Sequence, residues 1–365
     1  MIPITRWSKA TPGIRWSRNL RRRSRFSGLK GQAERSGIVR WHLSWKIGLR
    51  AYFGGMAVPK EIRHTVGNLR NMVRSAKEAK GLVDVDLFDD RLDEIVGQTK
   101  DLFLQWVKAR FGLCVAEMMD ESDGIIDLAR RLQDAPQTQA PTLRRVLKQG
   151  PPGAPRILLF PGIHGTSWSF ERLAKLTPEN SSVVAWDYPG LDRNSSPQIS
   201  IDALACQIID TEKNNDSGAG PLSLFGFCLG GVVAHAVADQ LGRDDVRLSM
   251  LDAHPATAIS GVSRLRRALG TTKAMREARR GGWLENRLVK MGIRQLRWLD
   301  GHGMSHADVN LDLIRTGGRL YLGPLDATTW HPFVRSVHLT TLPTFGHADV
   351  FRHHHEEFVV EKLVA

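Results

Sequence analysis

Three cysteines in 365 residues cannot build a disulfide framework. A reducing, cytoplasmic compartment is therefore expected. No apolar run approaches the roughly 18–20 residues that a membrane helix needs, so no membrane partner is expected. Acidic residues are almost missing from one end. Residues 1–55 hold ten arginines and three lysines against one acid, Glu34, which accounts for twelve of the thirteen net positive charges. The remaining chain is close to neutral, so nucleic acid is not the expected partner of the folded body. The tail, residues 1–57, also lacks the apolar core of roughly 7–15 residues that a secretory signal carries. Its Arg-, Ser- and Trp-rich composition suits a disordered extension, a targeting segment or a polyanion-binding arm.

What is present falls into two textures. Ile62, Val66, Leu69 and Val73 recur at spacings of four, three and four, one face of an amphipathic helix. A second helix is expected from Asp93 to Arg110, ended by Gly112, and a third, capped by Ser122, carries Ile125, Ile126, Ala129 and Leu132. Together these make a small helical unit over 58–133. "DAPQTQAP" (134–141) reads as a linker. Beyond it, "RILLF", "SSVVAW", "LSLFG" and "VRLSMLD" are short apolar runs separated by helical segments. Such alternation predicts an α/β fold with a doubly wound, mostly parallel sheet. "RLYLG" (319–323) and "VHLTTL" (337–342) extend that sheet, and 258–316 reads as a helical insert.

Gly226-Phe227-Cys228-Leu229-Gly230 stands where a strand gives way to a helix. G-x-C-x-G is the cysteine form of the nucleophile elbow of α/β-hydrolases. Glycines fit two positions either side of the nucleophile because close packing leaves no room for a side chain. The helix that follows turns its positive end toward the sulfur and favours thiolate over thiol. The Leu229 N–H would face a developing oxyanion. On this fold the nucleophile precedes an acid and then a histidine along the chain. Asp252 ends the next apolar run and His347 follows the last one, so Cys228, Asp252 and His347 are the candidate triad. Asp326, after a later strand-like run, is the alternative acid. Cys114 and Cys206 lie in apolar helical contexts and read as core residues. His353, His354 and His355 are consecutive and point apart, so no metal is expected.

At these residues, over about 142–365, the chain resembles the thioesterase domains of nonribosomal peptide and polyketide synthetases. "ILLFPGIHGTSWSF" looks like that family's first strand and oxyanion loop, "VVAWDYPGLD" its next strand and turn, "FGFCLGGVVAHAVADQL" its elbow, "LSMLDAHPA" its acid-bearing strand and "FGHADVF" its histidine motif. The resemblance favours Asp252 over Asp326 and implies that Ile163 supplies the second oxyanion N–H. It implies release of an acyl or peptidyl chain from a carrier thioester, with no bound cofactor. Cysteine replaces the family's usual serine. Thiol attack on a thioester conserves the thioester's energy, which suits transfer to an amine as well as to water.

The insert at 258–316 falls where that family carries a helical lid. Between 258 and 300 eleven basic residues face three acids, and Arg264, Arg266, Arg267, Arg279 and Arg280 are candidates for docking an acidic carrier and its phosphopantetheine phosphate. Residues 58–133 resemble, more distantly, an acyl or peptidyl carrier domain. The serine that would bear phosphopantetheine is replaced by Glu94, after Asp93, so this carrier would stay unmodified. Two other functions remain open: a stand-alone hydrolase of small esters, lactones or acyl-coenzyme A, and a non-catalytic docking remnant of a synthetase terminus.

Overall fold

The computed structural model describes residues 59–79, 97–114, 124–163, 166–191, 200–215, 220–260, 276, 279–280, 282–317, 325–342, 346–347, 349–352 and 356–364. The basic tail, Asp93, Glu94, Ser122, Arg264, Arg266, Arg267, "RLYLG" and His353–His355 lie outside them. Phe53–Ala365 forms one compact unit.

Seven strands make one sheet in the order β1-β3-β2-β4-β5-β6-β7. They are β1 (Arg144–Lys148), β2 (Arg156–Phe160), β3 (Ser182–Trp186), β4 (Leu222–Phe227), β5 (Arg247–Leu251), β6 (Ala307–Thr316) and β7 (Val334–Leu342). β1 runs antiparallel to β3 and every other pairing is parallel. Strands β2 to β5 are almost wholly buried, as parallel strands covered on both faces must be. One core lies under α5 (Ile201–Asn215) and α6 (Leu229–Leu241), the other under α4 (Glu171–Leu176) and α9 (Glu357–Val364). This is the architecture of the α/β-hydrolase fold.

Two strands depart from the expectation. Residues 307–316, read from the sequence as part of the helical insert, form β6, paired between β5 and β7. Val309, Leu311 and Leu313 are buried while Asp308 and Asn310 are exposed, an alternation of period two that belongs to a strand. The helical part of the insert is α7 (Ala256–Ser260) and α8 (Gly282–Gly301). β1 carries two arginines, which disguise it. Both are neutralised: Arg144 by Glu212 at 3.0 Å and Arg145 by Glu171 at 2.5 Å.

The N-terminal helices α1 (Arg63–Ala79), α2 (Lys100–Phe111) and α3 (Ile125–Arg131) pack on the hydrolase body. α2 ends at Gly112 as expected, with φ 67°, and a Cβ there would collide with the Gln139 carbonyl at 1.9 Å. α3 begins after Gly124, whose N–H donates to Asp127. The stretch read as a linker is pinned: Ala135 is buried, and the Gln137 amide donates to the carbonyls of Phe111 (2.7 Å) and Leu191 (3.1 Å). Cys114 and Cys206 are exposed rather than in the core. On α5 the buried positions are Ile201, Leu204, Ala205, Ile208 and Ile209, and Cys206 faces away from them.

The tie between α1 and α8 is polar and largely buried. The Glu285 carboxylate accepts from the backbone N–H groups of His64 (2.9 Å) and Thr65 (2.8 Å) and from the Thr65 hydroxyl (2.8 Å). Gln133 completes the knot, donating to Thr65 Oγ1 at 3.1 Å and accepting from the Glu285 N–H at 2.9 Å. Burial pushes the Glu285 carboxyl up to about 7, against the hydrogen bonds and the nearby Arg63 charge. A raised carboxyl means that folding takes up a proton between the unfolded and folded values. The stabilisation is complete below about 4.5 and fades as pH rises through about 7. Thermal unfolding of wild type and Glu285→Gln at pH 5 and pH 8 checks this. The stability of wild type relative to the variant should be greater at pH 5, by on the order of 3 kcal/mol at most. A difference independent of pH refutes the shift.

Candidate active site

Cys228 is the first residue after β4 and the N-cap of α6, with φ 55° and ψ −117°. Asp252, the first residue after β5, has φ 49°. These are the two non-glycine residues of positive φ in the described structure, and such strain concentrates at functional positions. The elbow tolerates it because its surroundings leave no alternative. A Cβ on Gly226 would lie 2.4 Å from the Gly230 carbonyl, and one on Gly230 would lie 2.0 Å from the Phe160 carbonyl. The Cys228 N–H continues the sheet, donating to Leu251 O at 2.9 Å.

His347 Nδ1 lies 3.0 Å from Asp252 Oδ2. Asp252 is buried, and its two oxygens also accept from the Thr316 N–H (2.8 Å) and hydroxyl (2.6 Å), which fix the carboxylate plane. Phe227 stacks on the imidazole at 4.8 Å and is itself held edge-on by Phe351. The ring is thus oriented by a hydrogen bond at one edge and an aromatic face. The Cys228 thiol meets His347 through charge and a side-chain hydrogen bond. Burial pushes the thiol up, but the His347 charge, the hydrogen bond to it and the Leu229 N–H bring it below its ordinary value. His347 rises to about 10 even though burial opposes the charge, because the Cys228 sulfur and Asp252 both favour the imidazolium. Each group therefore favours the charged form of the other, which shifts the pair toward thiolate and imidazolium.

The other expected residues are placed as follows. Asp326 caps a short turn, accepting from Thr328 N at 2.9 Å, and has no bond to His347. Ile163 is partly exposed, and its neighbour Gly162 adjoins the nucleophile: a Cβ there would be 3.3 Å from Cys228 Cβ. Arg279 and Arg280 are exposed, before α8. Along α8, Arg287, Lys290, Arg294 and Arg297 follow at spacings of three and four on the side away from buried Leu284, Leu288 and Met291. Arg287 and Arg297 press the Arg294 guanidinium further below its ordinary value, after the effect of burial. Thr316 and Phe227 were not found from the sequence. Thr316 acts across 64 residues and carries no motif, but Phe227 lies inside the G-x-C-x-G pattern, where an aromatic is a readable signal. Among the described residues, no His, Cys, Asp or Glu group could hold a metal ion, and no helix is long and apolar enough to cross a membrane.

Residues 155–285 match the family model described as Thioesterase domain. Among solved structures, a four-domain nonribosomal peptide synthetase, holo-AB3403 bound to AMP and glycine, is 18% identical with a TM-score of 0.54, over 80% of this chain and 25% of that one. This chain therefore spans about a quarter of that synthetase's length. The type II thioesterase BorB of the borrelidin cluster is 18% identical (TM-score 0.45), covering 60% of this chain and 96% of that one. The NocB thioesterase domain, in covalent complex with a fluorophosphonate nocardicin G analog, is 16% identical (TM-score 0.46), covering 60% and 97%. At these identities the likeness is one of fold. A search of curated proteins finds no match to the sequence.

Proposed function

We propose that this chain, which carries a thioesterase domain and so belongs among enzymes acting on thioesters, releases an acyl or peptidyl chain from a carrier-bound phosphopantetheine thioester through an acyl-cysteine intermediate. The observation that carries the reading is the thiol at the elbow, on the N-terminus of α6, against the His347–Asp252 pair.

The proposed steps are these. The Cys228 thiolate attacks the thioester carbonyl carbon. The oxyanion is received by the N–H groups of Leu229, first on α6, and Ile163, beside the Gly162 turn. The tetrahedral species collapses, the carbon–sulfur bond to the carrier breaks, and the His347 imidazolium gives its proton to the departing thiol. Neutral His347 then takes a proton from water or an amine as that nucleophile attacks the acyl-cysteine. The collapse of the second tetrahedral species returns the thiolate, and Asp252 stabilises the imidazolium at each stage. No step calls for a metal or redox cofactor.

The partner proposed is a carrier protein or the synthetase bearing it. Arg279, Arg280 and the α8 row of Arg287, Lys290, Arg294 and Arg297 offer cations to an acidic carrier surface and its phosphate. A thiol held below its ordinary value oxidises more readily, which suits a reducing cytoplasm.

Intact-protein mass spectrometry after mixing with a series of acyl-pantetheine thioesters tests the reading. Wild type should gain an acyl mass or release free pantetheine thiol, and Cys228→Ala should do neither. Silence of folded wild type across the series overturns it.

A further inference from the structure

The oxyanion turn is fastened by consecutive residues that follow β3. The Tyr188 hydroxyl donates to Pro161 O at 2.7 Å, just before Gly162 and Ile163. Asp187 Oδ1 accepts from the Ser167 N–H at 2.8 Å, a few residues further on. Asp187 is fully buried, and a buried carboxylate needs a countercharge. That charge comes from the N-terminal helices: Arg110 on α2, also fully buried, places Nη1 3.3 Å from Asp187 Oδ2. Arg110 also reaches the lid helix α8, with Nη2 3.9 Å from Met291 Sδ.

The same helices close on the next residue. The Trp106 ring of α2 packs on Trp168 at 4.8 Å. The Arg145 guanidinium lies over the Trp168 ring at 3.8 Å and donates to Ser167 Oγ at 2.8 Å. The Ser75 hydroxyl of α1 donates to Trp168 O at 2.5 Å. Ser167 and Trp168 are thus held from α1, α2, β1 and the β3 exit at once. The matched domain, 155–285, lacks α1, α2 and β1, and so lacks three of these four supports.

We infer that the N-terminal helices belong to the catalytic apparatus, and that Arg110 is a positioning residue for the oxyanion turn, acting through Asp187 and Ser167. This rests on the thioesterase reading, because it gives the turn its task. A helical unit built into the body by a buried ion pair cannot swing as a carrier domain does. Its work is local: it sets where the second oxyanion donor stands. Arg110 touches neither substrate nor Cys228, so its loss should affect the stabilised transition state rather than ground-state binding.

Arg110→Met strands the Asp187 carboxylate and can unfold the chain, so Arg110→Met with Asp187→Asn is made beside it, and Arg110→Lys as the conservative variant. Three quantities are measured on the full chain: turnover of an acyl-pantetheine thioester, iodoacetamide modification of Cys228, and hydrogen exchange of peptides covering Ser167. In the folded double variant kcat should fall about 10–100-fold with KM within about twofold. Alkylation, which needs the thiolate but no oxyanion hole, should keep its rate, and Ser167 exchange should quicken. Arg110→Lys should recover part of kcat. A folded double variant with wild-type kcat overturns the inference, and so does a parallel loss of turnover and alkylation. If wild type turns over no thioester, the functional reading falls, and Ser167 exchange alone decides the fastening: unchanged exchange in the double variant sinks it.

Discussion

His347→Ala should lower thioester turnover by roughly 10⁴-fold and move alkylation of Cys228 to alkaline pH. Five influences on the thiol oppose one another. Burial pushes it up, and Asp252, a like charge, adds to that. The His347 charge, its hydrogen bond and the Leu229 N–H outweigh them. Alanine removes the two larger favourable effects and leaves burial almost unchanged, so the thiol should rise above its ordinary value. Iodoacetamide rates from pH 5 to 10 read this directly. Wild type should react below the range of a free thiol. Its turnover should fall on the acid side as the thiolate takes up a proton, and on the alkaline side as the imidazolium gives one up near pH 10. In the variant, reaction should begin only at alkaline pH. A variant alkylated at pH 7 as fast as wild type shows that the thiolate does not depend on the imidazole.

The second large effect is on folding. Gly230→Ala puts a methyl group 2.0 Å from the Phe160 carbonyl, far inside van der Waals contact. The carbonyl belongs to β2 in the sheet and the methyl is set rigidly by the α6 backbone against the buried core, so no flexible side chain can yield. The strain should exceed about 4 kcal/mol, which places it among the most damaging single substitutions. At about 2–4 °C per kcal/mol, the unfolding midpoint should drop by more than about 8 °C, or the protein should fail to appear in the soluble fraction. Gly301→Ala, at the open end of α8 with nothing within 4 Å, is the control and should change little. A Gly230→Ala protein as stable as the control contradicts this packing of the elbow.

The inner strands and the elbow were legible because their signals are local. Four apolar runs gave β2 to β5, and the spacing of Gly226, Cys228 and Gly230 fixed a turn that only small residues permit. β6 is hidden in the sequence because Asp308, Asn310 and Asp312 interrupt its apolar residues and a basic helical insert adjoins it. β1 was lost because its arginines read as surface. They are paired with Glu212 and Glu171, acids far off in the chain. Contacts of this kind have no sequence signature. Thr316 on Asp252, Glu285 on the start of α1 and Arg110 on Asp187 each join residues more than 60 positions apart. The amphipathic pattern of the N-terminal helices showed that they had a face to bury but not what would bury it, so a free-standing unit was the natural reading.

The strained conformations of Cys228 and Asp252 set what a stability screen would find. Glycine adopts a positive φ at no steric cost. A directed-evolution campaign that rewards heat resistance alone would therefore tend to erase these two side chains, raising the melting temperature at the expense of the proposed chemistry. The native chain carries Cys228 and Asp252 in spite of that gradient. Thermostabilising libraries for this scaffold should hold both positions fixed and take their gains from the exposed helical faces.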